Sequence, residues 1–321
     1  MTGHTVAGDP SATGRLQRGR HASVIRGSTP ESRSSPRVSD DTSIAAKGFA
    51  MTSDITGPTG RLHIDDNGSG DGLPVVFVHA FGGSLVHWAE QLAHLRPGRR
   101  AIGFDLRGHG RSDATVGPDD TIDDLAGDIN AVVDGLRLER VVLVGHSIGG
   151  AAAVAYAGKH PQRVAGMLLV GTPGRVPLQQ ADQILSQMTS DYDTTMAGYW
   201  DRLLADATPR VKDQIASEMG RMPQDVAMTL IKATFAYDPL PALRDYPGII
   251  ETVTIGDSPY DLHKQLTDVP DEHVDGTSHW VQMDKPEAFG LILDAFLARV
   301  DAAETAEGQD RKGGRLASLR R

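Results

Sequence analysis

Five short apolar runs, each closed off by Gly, Pro or charged residues, restrict the fold of this chain more than any other feature. They are Pro74–His79, Ala101–Phe104, Arg140–Gly145, Val164–Val170 and Glu251–Ile255. Their apolar residues are continuous rather than alternating, the pattern of strands covered on both faces. Helical patterns lie between them. Ser84–Leu95 puts Leu85, Trp88, Leu92 and Leu95 on one stripe. Thr121–Leu136 opens with Thr121 and an acid, Asp124, three residues on, the form of a capping box. The Ala-rich stretch Ser147–Lys159 stops at His160-Pro161. Repeated β-α-β units of this length predict an α/β fold, a mostly parallel sheet with helices on both faces. The run Asp65–Gly72 (DDNGSGDG) predicts a turn joining two early antiparallel strands.

Residues 175–246 break the rhythm. They carry Met188, Met196, Met219, Met222, Met228, Tyr192, Tyr199, Tyr237 and Trp200 on helical-looking segments. We read them as a helical cap inserted between two strands. The Met and aromatic side chains are expected to form its core rather than to contact a ligand. A cap at the C-terminal edge of the sheet would cover the mouth of a site there.

Charge sets the ends apart from the body. Residues 1–50 hold seven Lys or Arg against four Asp or Glu and are rich in Gly, Ser, Thr and Pro. They have too little apolar surface to offset the entropy of ordering, so a disordered extension is expected. They lack the apolar core of a signal peptide, and Asp9, Glu31, Asp40 and Asp41 argue against a transit peptide. Met51 opens the organised stretch and is a candidate start of translation. Residues 301–321 are expected to be a flexible tail, which leaves 51–300 as the folded domain. That domain carries 20 Lys or Arg against 34 Asp or Glu, more acidic than the whole-chain net charge of −10 suggests. Such a balance argues against nucleic acid and polyanionic partners. No apolar run approaches the ~20 residues of a membrane span. The chain has no cysteine, which removes a disulfide scaffold, a cysteine nucleophile and thiolate metal sites. That composition suits a reducing compartment, and the expected location is cytoplasmic.

The chemistry centres on Ser147. Val141–Gly150 runs strand, Gly-His-Ser-Ile-Gly, helix. A sharp turn there would lift the hydroxyl above the sheet, and its flanking glycines avoid clashes with neighbouring elements. The following helix N-terminus would supply backbone N–H groups for a developing oxyanion. A serine hydroxyl needs a base. His279, in the loop Gly276–Trp280 past the last strand, is the best placed of the 12 histidines. His146 precedes the serine, but neighbours in sequence point apart, so it is read as packing. His79 and His109 are expected to fix loop geometry near the mouth. His263 and His273 lack metal-ligand spacing, and no His-Glu-x-x-His cluster occurs, so no metal and no cofactor is predicted. The histidine needs an orienting acid. Two candidates follow the last strand. Ser258-Pro259-x-Asp261 has the form of a helix start, which would give Asp261 a structural role. Asp257 has no such duty and is the first choice, with Asp261 the alternative.

These residues resemble the α/β-hydrolase superfamily over roughly residues 60–300. His79-Ala80-Phe81-Gly82-Gly83 is similar to its H-G-x-G loop. Asp105–Ser112 is similar to its D-x-R-G-x-G-x-S segment, and Gly145–Gly149 to its nucleophile elbow. Gly276–His279 followed by Lys285-Pro286-Glu287 is similar to its histidine loop. The resemblance implies that the backbone N–H groups of Phe81 and Ile148 form the oxyanion hole. The order Ser147, Asp257, His279 is also the superfamily's. Two positions depart from the pattern: Ala80 replaces the usual glycine, and Pro259 stands where the acid usually lies. Asp105 and Arg107 are read as a structural ion pair or hydrogen-bond network. By resemblance, a serine nucleophile excludes the dehalogenases and epoxide hydrolases that use aspartate, and the missing cysteines exclude the dienelactone type. A small ester or lactone is the expected acyl substrate. A carbon–carbon bond hydrolase, a cofactor-free perhydrolase and a non-catalytic binder on the same fold are the alternatives.

Overall fold

The computed structural model describes residues 51–318 apart from Ala114 and Asp257. The extension 1–50, the last three residues of the tail and the first-choice acid therefore lie outside the described residues. The strands are β1 (Met51–Thr56), β2 (Arg61–Asn67), β3 (Val75–Val78), β4 (Ala101–Phe104), β5 (Val141–His146), β6 (Val164–Val170), β7 (Ile249–Thr254) and β8 (Asp271–His273). They form one sheet in the order β1-β2-β4-β3-β5-β6-β7-β8. The β1–β2 and β2–β4 pairings are antiparallel, and every other pairing is parallel. The expected α/β architecture is the one observed.

The continuous apolar runs follow from burial on both faces. Along β3, Val76 and Val78 face one core, and Val75 and Phe77 face the other. Along β5, Val141 and Leu143 face the first, and Val142 and Val144 the second. Helices α2 (Ile122–Gly135) and α3 (Ile148–Lys159) cover the first face. Helix α1 (Ala89–Leu95) and the long C-terminal helix cover the second. Full burial of each such side chain contributes about 1.5–3 kcal/mol.

Two local expectations hold at atomic detail. The Asp124 carboxylate accepts from the Thr121 backbone N–H at 2.8 Å and from its hydroxyl at 2.6 Å, at the start of α2. Trp88, Leu92 and Leu95 are buried on one stripe, although the segment divides into a 3-10 turn, Leu85–Trp88, and α1.

Two others need correction. The DDNGSGDG turn joins β2 to β3, which are not neighbours, because β4 lies between them. The early antiparallel hairpin is β1–β2, closed by a bond from the Gly57 N–H to the Gly60 carbonyl at 2.7 Å. A turn signal is local, whereas strand pairing is not. The helix that begins at Pro286 continues to Ser318, through most of the segment expected as a flexible tail. Phe289, Leu293, Phe296, Leu297 and Val300 dock it on the sheet. Beyond Val300, ion pairs Arg99–Asp301 and Arg140–Glu304 (2.8 Å) hold it further.

Between β6 and β7 run α4 (Leu178–Ser190), α5 (Tyr192–Leu203), α6 (Pro209–Met219), α7 (Gln224–Ala236) and α8 (Leu240–Arg244). Met188, Met196 and Trp200 are buried there, in the same apolar cluster as α2 and α3. Short helix α9 (Val281–Asp284) and α10 (Pro286–Ser318) complete the chain. Among the described residues, no helix is long and apolar enough to cross a membrane.

Candidate active site

Ser147 occupies the turn between β5 and α3 with φ 55° and ψ −121°. That region is closed to ordinary side chains, and strain of this kind is held only where surrounding structure enforces it. Two glycines provide the room. A Cβ on Gly145 would lie 2.6 Å from the Gly150 Cα, and one on Gly149 would lie 2.4 Å from the His79 carbonyl oxygen. The turn is pinned from both sides. The Ser147 N–H donates to the Val170 carbonyl at 2.8 Å, and the Ser147 carbonyl accepts from Gly150 and Ala151. Ile148 follows as the first residue of α3, so its N–H has no carbonyl four residues back within the helix.

His279 sits against the end of the neighbouring strand. A Cβ on Gly171, the residue after β6, would meet its Cε1 at 3.2 Å and its Nδ1 at 3.5 Å. The His279 ring lies 4.6 Å from that of His146, the residue before the serine. Its backbone N–H donates to the Leu203 carbonyl of α5 at 3.0 Å. Asp284 shapes the loop by accepting from the Ser278 N–H (2.9 Å) and hydroxyl (2.6 Å) and from the Thr208 N–H (2.8 Å). Burial lowers the His279 pKa from 6.5 to about 4, so the ring is neutral at pH 7, the form that can take a proton. Among the described residues, no hydrogen bond joins the Ser147 hydroxyl to this ring. Such contacts are often long before substrate arrives.

His146 is fully buried beneath them. Its Nδ1 lies 3.2 Å from the Gln282 side-chain nitrogen. Burial, then the neighbouring His279, holds its pKa well below 6.5.

The loop after β3 is braced by two histidines. The Leu106 N–H donates to His79 Nε2 at 3.0 Å, and His79 Nδ1 contacts the Ala80 carbonyl at 2.8 Å. The Gly82 N–H donates to His109 Nε2 at 3.1 Å, and His109 Nδ1 contacts the Arg107 carbonyl at 2.8 Å. Each ring thus accepts at Nε2, which requires it to be neutral. Burial lowers His79 to about 4 and His109 to about 3, in keeping with that role. The brace fixes the backbone on both sides of Phe81.

Asp105 and Arg107 are structural, but not as partners. Asp105 accepts from the Leu85 and Arg111 N–H groups, each at 2.7 Å. Arg107 is buried against Asp128 (2.7 Å) and Asp120 (2.9 Å).

For the acid, Asp261 is 9% exposed and forms an isolated antiparallel bridge with Pro173, joining the loops after β6 and β7. The helix expected from Ser258 does not form. Ser258 Oγ instead accepts from the Tyr260 N–H at 3.2 Å, and the 3-10 turn Leu262–Gln265 begins after Asp261. Asp261 thus stands at the N-cap of that turn, rather than at the third position of a helix begun at Ser258, and makes no side-chain capping bond there.

Sequence reasoning did not single out His87 or Glu218. The two side chains meet at 2.6 Å and tie α6 to the segment after the Phe81 loop. Their positions are 131 apart, and no spacing rule joins them.

Comparison with known proteins agrees with the fold. A family described as alpha/beta hydrolase fold matches residues 74–232. The non-heme chloroperoxidase of Streptomyces lividans is 35% identical over 158 residues, 45% of this chain and 55% of that protein. The chain spans only about 29–55% of the length of the first curated relatives it matches. Among solved structures, a thermophilic esterase from Thermogutta terrifontis superposes with a TM-score of 0.67 at 22% identity, covering 78% of this chain and 99% of its own. The enol-lactonase of Burkholderia xenovorans LB400 gives 0.67 at 23% identity, covering 77% and 100%.

Proposed function

The chain belongs to the α/β-hydrolase superfamily, and on that premise we propose that it is a serine hydrolase cleaving a small ester or lactone through an acyl-enzyme on Ser147. The observation that carries this reading is the backbone of Ser147, held at φ 55° between glycines that admit no side chain. A partly open serine strained in this way at a strand–helix turn has the geometry of a nucleophile elbow.

In the proposed mechanism, neutral His279 takes the Ser147 proton as the hydroxyl oxygen attacks the acyl carbonyl. The Phe81 and Ile148 N–H groups hold the oxyanion, each donor contributing about 3–4 kcal/mol to the transition state in comparable sites. The two-histidine brace keeps the Phe81 loop in place for that task. His279 then protonates the departing alkoxide, and water, deprotonated by the same ring, releases the acid. Asp257 or Asp261 orients His279. Helices α4–α8 act as the cap, and the protein works on a small molecule in the cytoplasm.

A second reading uses the same acyl-enzyme, with hydrogen peroxide replacing water to give a peracid. The 35% identity to a non-heme chloroperoxidase favours keeping it. A fluorophosphonate probe tests both readings. Labelling of the wild-type protein and loss of labelling in Ser147→Ala are expected. A wild-type protein that resists the probe while correctly folded would point to a non-catalytic binder.

A further inference from the structure

Trp200, on α5, stands between the two halves of the proposed machinery. Its indole stacks on Phe81 with ring centroids 5.8 Å apart and an interplanar angle of 12°. It also stacks on Trp280 at 6.1 Å and 21°. Phe81 is a proposed oxyanion donor, and Trp280 directly follows His279. The indole also reaches the backbone of the oxyanion loop, because a Cβ on Gly82 would lie 3.1 Å from its Cη2. Three residues on, the Leu203 carbonyl accepts the His279 N–H. One turn of a cap helix therefore touches both catalytic loops. Trp200 itself is only 7% exposed, whereas Ser147 and His279 stay partly open.

We propose that Trp200 sets the length of acyl group the enzyme accepts, closing the acyl side of the site so that short acyl groups fit and long ones do not. This rests on the serine-hydrolase reading. An acyl carbon under attack must sit between the oxyanion donors, the serine and the histidine. An aromatic plane stacked on the Phe81 ring, and on the ring of the residue that follows His279, bounds the space beside those groups. The indole cannot swing away cheaply, since doing so gives up both stacking contacts and disturbs the helix that holds His279. A long acyl chain would have to displace it, and a short one would not.

A purely structural tryptophan would behave differently. Its loss would lower activity on every substrate alike, whereas a length-limiting side chain changes their order. The test is kcat and KM for p-nitrophenyl acetate, butyrate, hexanoate and octanoate with wild type, Trp200→Ala and Trp200→Phe. Wild type is expected to lose at least about tenfold in kcat/KM from butyrate to octanoate. Trp200→Ala should shift that ratio at least about tenfold toward octanoate, chiefly through KM. Trp200→Phe keeps a stacked but smaller ring and should shift the ratio toward octanoate by a resolvable amount that lies between wild type and Trp200→Ala. If Trp200→Ala does not fold by circular dichroism, the intermediate shift in Trp200→Phe carries the test. Unchanged chain-length profiles in the folded variants, or a wild-type preference for octanoate, would overturn the assignment of Trp200 and leave that of Ser147 standing. Full activity in Ser147→Ala, or no hydrolysis of any ester by wild type, would overturn the hydrolase reading and this proposal with it.

Discussion

Lowering the pH from 7 to 5.5 should remove about 4 kcal/mol of folding stability, mostly through three buried histidines, with His279, also lowered to about 4, adding in the same sense. His79, His109 and His146 are 0%, 4% and 0% exposed. Burial holds the pKa of each well below 6.5. A histidine kept neutral by the fold takes up its proton only on unfolding. Its contribution is thus fully present above pH 6.5 and is lost as the pH falls toward the folded value. For an unfolded pKa near 6.5, each histidine costs about 1 kcal/mol between pH 7 and 5.5, and about as much again per further pH unit. Against a typical total of about 5–15 kcal/mol, three such residues bring acid unfolding into reach near pH 5. Buried Asp105 and Asp128, whose pKa values are raised by burial, act in the opposite sense. A variant is therefore needed to isolate the histidines. Urea unfolding from pH 8 to pH 5 measures the loss, and His109→Gln should reduce the loss between pH 7 and 5.5 by about 1 kcal/mol. A stability that stays flat from pH 7 to 5.5, or a loss unchanged in His109→Gln, would refute the reasoning.

Three further predictions concern the core and the elbow. Asp128→Ala leaves the buried Arg107 guanidinium with Asp120 as its one carboxylate and should cost about 3 kcal/mol in urea unfolding; a loss below about 1 kcal/mol would show that the pair is dispensable. Gly149→Ala forces a Cβ to within 2.4 Å of the His79 carbonyl oxygen. It should destabilise the protein by about 1–3 kcal/mol and lower kcat by displacing the elbow and the oxyanion loop together, as stopped-flow ester hydrolysis would detect. Of Asp257→Asn and Asp261→Asn, the variant that removes the histidine's orienting acid should lose about 10⁴-fold in kcat, and the other should lose little. Comparable small losses in both would place the acid elsewhere.

The strands were legible because a strand buried on both faces writes itself as an unbroken apolar run, and Val141–Val144 is such a run on two cores at once. The elbow was legible because Ser147 and its glycines are contiguous. Features built from distant residues were not. Helix α10 runs past Val300 with the help of Asp301 and Glu304, whose partners Arg99 and Arg140 lie far back in the chain. The helix start read at Ser258 gave way to a bridge between Asp261 and Pro173, a contact no local pattern encodes. Trp200 was visible as an aromatic in the cap. Its place between Phe81 and Trp280 depends on how α5 docks, which the spacing of its own residues leaves open. The same holds for His87 and Glu218, each unremarkable alone.

The most direct test of the central claim is to trap the acyl-enzyme. Wild-type protein mixed with p-nitrophenyl acetate, quenched in acid within one turnover and digested, should yield one acetylated peptide, with the acetyl group on Ser147 by tandem mass spectrometry. His279→Ala should form it far more slowly. Turnover of the ester with no adduct on Ser147, or with the acetyl group on another residue, would contradict the account.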